Sequence, residues 1–188
     1  MSAGGSGRYT RKNSGMLGAM IVTVGIIIIF VAFRAITRDD LVIERETVDY
    51  LSVVEALQEG RTSEIAYPPA LPEGRRAVDA SVTEETVWKL DTLHGNTGFL
   101  GVYQCRVPVK TCAQSTLQGD AERGKEITVE SALGTTWQSW KGEDGDRGIS
   151  IELEDAVVMV FGTAGQDEIE AVAASLVTDP VSPDRPKS

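Results

Sequence analysis

An apolar run near the amino terminus is the strongest hydrophobic pattern in the chain. Lys12 and Arg34 enclose 21 residues without a charged side chain, residues 13–33. As a helix they would extend about 31 Å, which matches the roughly 30 Å hydrocarbon core of a bilayer. A signal-peptide core is shorter, about 7–15 residues, and precedes a small-residue cleavage site, which the following FRAITRDD lacks. The pattern therefore predicts a retained transmembrane helix over residues 13–37, with a cleaved signal peptide as the alternative.

The stretch 47–177 switches between helical and strand periodicity, as expected of one folded domain. Thr47 is a candidate cap for a first helix that ends at Gly60, with apolar positions at helical spacing. Alternating segments then predict strands, of which RRAVDASVT would place Ala77 and Asp79 on one face. The segment AVVMVFGT is apolar throughout, which is typical of a central strand covered on both faces.

Two later segments predict helices that would pack on these strands. VKTCAQSTLQGD indicates a short helix between two groups of strands. A last helix is predicted over residues 167–177, with an apolar stripe of Ile169, Val172 and Leu176. Because hairpins such as the one at Asp144–Gly145 join antiparallel strands, the predicted fold class is α+β: an N-terminal transmembrane helix followed by an antiparallel β-sheet domain with packed helices.

Composition sets the boundaries of this domain. Residues 1–12 form a Gly- and Ser-containing basic tail, and residues 38–46 form a charged connector after the apolar helix. The end of the chain, residues 178–188, has three prolines and no aromatic residue, which predicts a disordered tail. The roughly 130 residues between them are enough for one hydrophobic core and too few for two.

Charge is divided unevenly along the chain and predicts an orientation. Residues 1–38 carry five basic and no acidic side chains, whereas residues 39–188 carry 13 basic and 28 acidic ones. A short basic tail that stays in the cytoplasm, with the long domain translocated, is the ordinary signal-anchor arrangement. The expected location is thus the cell membrane, single-pass, with an extracytoplasmic C-terminal domain. The acidic domain excludes nucleic acid and anionic lipid surfaces as partners.

The interpretation of the two cysteines, Cys105 and Cys112, depends on the location of the domain. Outside the membrane an even cysteine count favours a disulfide. Its eight-residue loop would stabilise the domain by about 2.5 kcal/mol on the chain-entropy estimate. Two free thiols are the alternative. A metal or redox role would need further ligands or a C-x-x-C spacing, which the sequence lacks.

Candidate catalytic residues are scarce. His94 is the only histidine and lies in the turn LHGNTG, where solvent exposure is expected. No nucleophile motif and no glycine-rich phosphate loop occur in the sequence. The carboxylates of GEDGDRG depart from the calcium-loop pattern and indicate a hairpin tip. We therefore expect no enzyme activity, no cofactor and no metal.

Two pairs of features are candidates for binding surfaces. Trp137 and Trp140 in TWQSW have odd spacing, so on a strand they would face opposite sides. They are either both core residues or a possible ligand or partner surface. In the apolar run, small residues four apart, Ser14/Gly18 and Gly15/Ala19, would permit homodimerisation through the anchor helix.

Several segments together resemble a known family: GRYTRKNSGMLGAMIV, VDYLSVVEALQEGR, YPPALPEGRRA, TWQSW and FGTAGQDEIEAVAASL. In order and spacing they are similar to actinobacterial single-pass membrane proteins that are catalogued only as a domain of unknown function. The resemblance implies location and architecture, but no activity. The pair Cys105 and Cys112 departs from the family pattern, so the resemblance gives it no role. At the level of fold alone, the element order is also similar to the PsbP-like α/β/α sandwich, which extracytoplasmic accessory and ligand-binding proteins use.

The expected function is that of a non-catalytic membrane-anchored extracytoplasmic protein, a partner-binding or accessory subunit of a cell-envelope or membrane complex. The alternative is a small-molecule or lipid-binding domain with a cleft between sheet and helices. A deep apolar pocket near the tryptophans would favour a ligand, whereas a flat exposed apolar patch would favour a protein partner.

Overall fold

The computed structural model describes residues 14–36, 46–60, 64–95 and 98–182. The predicted tail 1–12 and most of the connector 38–46 lie outside the described residues. The chain divides into two compact units, Met1–Ile43 and Glu44–Ser188. The helices are α1 (Ser14–Ile36), α2 (Tyr50–Gly60), α3 (Val109–Thr116) and α4 (Gln166–Ser175). The strands are β1 (Arg75–Ser81), β2 (Thr86–His94), β3 (Gly98–Cys105), β4 (Glu122–Ser131), β5 (Gly134–Lys141), β6 (Arg147–Glu152) and β7 (Val157–Gly162).

Helix α1 lies in the first unit and coincides with the apolar run. Its described large apolar side chains are between 47 and 71% exposed. In the parts of the chain that the structure describes, no helix combines the length and the apolar character that a membrane crossing needs. The side chains of the small-residue pairs proposed for homodimerisation lie outside the described residues.

The second unit is built on one seven-stranded sheet in the order β1-β2-β3-β7-β6-β5-β4. Every neighbouring pair in it is antiparallel. Strand β7 lies at the centre and all six of its residues are buried, as the continuous apolar segment predicts. The predicted α+β class, an antiparallel sheet with packed helices, is confirmed.

The two faces of the sheet carry separate hydrophobic clusters. Helices α2 and α4 pack on one face, whose inward side chains include Trp88, Leu90, Trp137 and Val160. Helix α3 packs on the other face over β6 and β7, where Trp140, Met159 and Phe161 are buried. The sheet is therefore the middle layer of the domain, and α3 covers only part of its second face.

Helix α4 is confirmed as a structural cover. Its apolar stripe is buried, with Ile169 and Leu176 at 0% and Val172 at 1% exposure. The helix ends at Ser175, and Leu176 continues into extended backbone. Because the stripe already contacts the sheet side of the domain, it is not a free docking face.

Two local predictions differ from the structure. Helix α2 begins at Tyr50, and Asp49 accepts hydrogen bonds from the amide and hydroxyl of Ser52, so this carboxylate stands at the helix start in place of Thr47. In β1 the pairing with β2 shifts between Ala77 and Asp79. This bulge inserts one residue, so the two side chains that simple alternation puts on one face lie on opposite faces.

The carboxyl-terminal segment also differs from the prediction of a disordered tail over 178–188. Val177 pairs with Tyr67 through two backbone hydrogen bonds. The carbonyl of Asp179 accepts from Gln58 Nε2 and from Tyr67 Oη, both at 3.0 Å. The amide of Val181 donates to Gln58 Oε1 at 2.9 Å. Residues 178–182 are thus held against the domain by polar contacts, and residues 183–188 lie outside the described residues.

Candidate functional site

The predicted disulfide between Cys105 and Cys112 is present, with the two Cα atoms 6.1 Å apart. Cys105 is the last residue of β3 and Cys112 lies within α3, and both are almost fully buried. The bond therefore fixes α3 to the end of a central strand. It also fixes the position of Arg106, which follows Cys105 directly and whose amide donates to the carbonyl of Glu85.

Trp137 and Trp140 lie on opposite faces of β5, and both are core residues. Trp137 is fully buried, and Trp140 is 5% exposed. The indole of Trp140 donates to Ser150 Oγ at 2.8 Å, and that of Trp137 approaches the carbonyl of Gly134 at 3.3 Å. Each ring belongs to the hydrophobic cluster of its own face of the sheet. Neither ring is available as a ligand or partner surface, so the core interpretation is the one that fits their positions.

One end of the sheet is closed by a buried arginine. The Arg75 side chain is fully buried where β1 and β3 begin and β2 ends. Its Nε donates to Glu168 Oε1 at 3.1 Å, and its Nη1 donates to Thr92 Oγ1 and to the carbonyl of Gly98, both at 3.0 Å. Since Glu168 lies in the first turn of α4, these bonds join the helix to the sheet. We call this region the closed end.

His94 lies at the edge of the closed end. Its side chain is 57% exposed, and its Nδ1 lies 3.9 Å from Glu168 Oε1. The exposure agrees with the predicted turn position. GEDGDRG, the other sequence candidate, forms the turn between β5 and β6, where the Gly142 amide donates to the carbonyl of Asp146. Within the described ranges, no three acidic, histidine or cysteine residues are placed to hold a metal ion.

The opposite end of the sheet contains a cavity of about 500 Å³. It lies where β3 ends, β7 begins and the segment before Tyr67 crosses the sheet. We call this region the open end. Its lining residues are Glu64, Val87, Gln104, Arg106, Leu153, Glu154, Asp155 and Ala156.

The floor and the rim of this cavity have different chemistry. Gln104 is 2% exposed, and both ends of its amide are occupied: Oε1 accepts from the Ala66 amide at 3.0 Å and Nε2 donates to the Glu64 carbonyl at 2.8 Å. The four charged residues of the lining are exposed at the rim. Among the described residues, no ion pair within 4 Å joins any of them to an opposite charge. One cationic and three anionic residues therefore line the same concavity, and no ion pair among the described residues neutralises their charges.

A third polar cluster lies on the part of the sheet that α3 leaves uncovered. Lys89 Nζ lies 2.7 Å from Asp79 Oδ2 and 3.7 Å from Asp91 Oδ2, and the Tyr103 hydroxyl donates to Asp91 Oδ1 at 2.9 Å. Burial raises the pKa of Asp91 and, together with the Asp91 charge, that of Tyr103. Burial alone would also raise the pKa of Asp79, but hydrogen bonds from Lys89 and Ser81 lower it. Each group is paired inside the cluster, so its role is structural.

Sequence reasoning missed both arginines. Arg75 shares with Ala77 the inward face of β1, so the alternation of RRAVDASVT contained a weak indication of a buried arginine. Nothing local indicated its partner Glu168, which is 93 residues away. The cavity gave no sequence pattern, because its lining comes from four separate segments.

The comparisons with known proteins identify a family without an assigned activity. Residues 8–176 match the family model described as "Protein of unknown function (DUF4245)". No curated protein and no solved structure matches the chain, so the similarity to PsbP-like domains stays an expectation. Because the family model covers most of the sequence, the chain belongs to this family of proteins of unknown function.

Proposed function

We propose that this protein is a non-catalytic, membrane-anchored extracytoplasmic protein that binds a partner within a cell-envelope or membrane complex. Residues 13–37 are the anchor, the amino terminus is cytoplasmic, and the folded domain lies outside. The chain contains a single histidine, at an exposed position, and its sequence lacks the motifs of the common hydrolases.

The observation that carries the proposal is the distribution of exposed apolar side chains. Among the described residues, the exposed large apolar side chains outside α1 reduce to Val82 at 42%. Those in α1 are Met20, Ile21, Val22, Val24, Ile26, Ile27, Ile28, Ile29, Phe30, Val31 and Phe33. Exposed apolar surface costs about 25 cal/mol per Å² in water, and a bilayer removes that cost. The folded domain, by contrast, presents a surface suited to water.

The Cys105–Cys112 disulfide supports the extracytoplasmic side. Structural disulfides form and persist in oxidising compartments and are rare in the cytosol. This bond is buried and joins β3 to α3, so it is part of the fold. Folding in an oxidising compartment would allow this disulfide to form.

The packing favours a protein partner over a lipid. The alternative function needs a cleft between the sheet and its helices, but that space is filled by side chains with almost no exposure, such as Trp88, Leu90 and Val160. The cavity lies at the open end instead, and half of its eight lining residues are charged. An apolar ligand is poorly matched to such a lining.

Protease treatment of spheroplasts tests the location, followed by N-terminal sequencing of the mature protein. The proposal predicts a digestible domain and a chain that retains its apolar helix. A domain that stays protected, or a mature chain that begins after residue 33, would contradict it.

A pair of variants makes the anchoring test specific. Ile27→Arg places a charge in the middle of α1, where insertion scales assign a cost of about 2.5–3.5 kcal/mol. It should lower the membrane-bound fraction. The control Val82→Arg alters an exposed apolar residue of the domain and should leave that fraction unchanged. Mild-detergent purification of the wild type would then identify the partner.

A further inference from the structure

We propose that the open-end cavity binds a small zwitterion of the amino-acid or short-peptide class. Arg106 would bind the carboxylate, and one or two of Glu64, Glu154 and Asp155 would bind the ammonium group. This goes beyond the proposed function, because it gives the domain a small polar ligand in addition to a partner.

The cavity has a suitable size and a mixed lining. Its volume of about 500 Å³ lies within the range of roughly 300–1,000 Å³ that small-molecule sites occupy. Val87, Leu153 and Ala156 supply apolar wall for the aliphatic part of a ligand. A short peptide fits this volume and has both apolar and charged parts.

The rim charges select the class of ligand. The guanidinium of Arg106 is planar and suited to bidentate recognition of a carboxylate. It forms no ion pair among the described residues, although three carboxylates line the same cavity. An anion alone would meet the repulsion of those carboxylates, and a cation alone would leave Arg106 without a partner. A zwitterion offers a negative charge to Arg106 and a positive charge to the carboxylates.

A metal ion fits the same carboxylates poorly. No three of the acidic residues within the described ranges converge closely enough to share an ion. An ammonium group needs fewer of them, because one or two carboxylates together with water can accept from its three N–H groups. The spread of the carboxylates around the rim therefore favours an organic cation.

The disulfide and Gln104 give the site a fixed frame. Arg106 is held between the buried Cys105 and the backbone bond to Glu85. Gln104 uses both its amide oxygen and its amide nitrogen to hold the segment at Glu64 and Ala66 in place. The backbone that carries Arg106 and Glu64 is thus preorganised, which lowers the ordering cost of binding.

The test is a titration of the full-length protein in detergent micelles with glycylglycine, followed by amide chemical shifts. We expect saturable shifts at the cavity residues at probe concentrations up to about 10 mM. N-acetylglycylglycine and glycylglycinamide, which each lack one charge, should bind at least about tenfold more weakly.

Matched variants assign the two charges. Arg106→Gln and the double variant Glu154→Gln/Asp155→Asn should each weaken glycylglycine binding at least about tenfold. Arg147→Gln and Glu130→Gln alter exposed charges outside the cavity and should leave it unchanged. Unchanged near-ultraviolet circular dichroism would show that each variant is folded. No saturable shift, equal binding of a singly charged probe, or binding that survives Arg106→Gln would each overturn the proposal.

Discussion

The arginines at the two ends of the sheet are in opposite environments. At the closed end, the Arg75 side chain is fully buried and its donors are taken up by Glu168, Thr92 and Gly98. At the open end, Arg106 is exposed at the rim of a cavity and forms no ion pair among the described residues. The same side chain thus serves the fold at one end and is available to other molecules at the other.

The difference shows which charges matter to stability. A buried ion pair leaves an uncompensated charge when one partner is removed, whereas an exposed unpaired charge leaves nothing behind. Substitutions at the closed end should therefore change the free energy of unfolding. Substitutions of the exposed charged residues at the open end should change binding and leave stability almost unchanged.

The largest effect is expected for Arg75→Gln. Removing this guanidinium leaves the acceptors of Thr92 and Gly98 and the partly exposed Glu168 without their donor. Since each unsatisfied buried group costs about 1–3 kcal/mol, we expect a loss of about 3–5 kcal/mol. Arg106→Gln, the matched control, should change stability by less than about 0.5 kcal/mol. Denaturant unfolding followed by tryptophan fluorescence measures both. Equal losses in the two variants would contradict the distinction between the ends.

Leu176→Ala tests whether α4 is part of the closed end or a docking element. Leu176 is fully buried, so its truncation should cost about 2–5 kcal/mol in unfolding free energy. Glu170→Ala, whose carboxylate accepts a hydrogen bond from Gln166 on the same helix, should cost little. An unchanged midpoint together with loss of a co-purifying partner would instead assign the stripe to binding.

Removing the disulfide tests the frame of the open end. The double variant Cys105→Ala/Cys112→Ala should lose about 2.5 kcal/mol, because an eight-residue loop is no longer closed in the unfolded chain. Intact mass before and after reduction and alkylation checks that the bond is present in the wild type. Two thiols that react in unreduced wild-type protein would argue against it.

The smallest effect is expected at the paired cluster on the uncovered face. Burial raises the pKa of Tyr103 above the ordinary 10.0, so the folded state keeps a proton that the unfolded chain releases more readily. Stability is fully present below about pH 10 and falls as the pH rises further. In the variant Tyr103→Phe, stability should fall less steeply as the pH rises. The unfolding midpoint, measured as a function of pH, checks this expectation. The same slope in both proteins would show that Tyr103 does not cause it.

Local patterns predicted the parts of this fold that depend on neighbours in sequence. The apolar segment of β7 and the stripe of α4 follow directly from periodicity, and both are buried as expected. The even cysteine count at the expected extracytoplasmic location predicts the Cys105–Cys112 disulfide, and the bond is present. The burial of a continuous apolar element can be predicted from the sequence of that element alone.

Contacts between distant residues could not be predicted in this way. Asp179 is held by Gln58, 121 residues earlier, although its own segment has the composition of a disordered tail. The bulge in β1 depends on pairing with β2, which alternation along one strand does not contain. The open-end cavity forms only where four segments meet in the folded domain. In the sequence, its charged residues therefore look like ordinary surface residues.

Hydrogen exchange at the two guanidinium groups tests the contrast between the ends most directly, because it needs no substitution. In isotope-labelled full-length protein, the Nε–H of Arg75 donates to Glu168 from a fully buried side chain and should exchange slowly. The Nε–H of Arg106, at the rim of the open end, should exchange at the rate of a solvated arginine. Fast exchange at both groups, or protection of Arg106 equal to that of Arg75, would contradict the account.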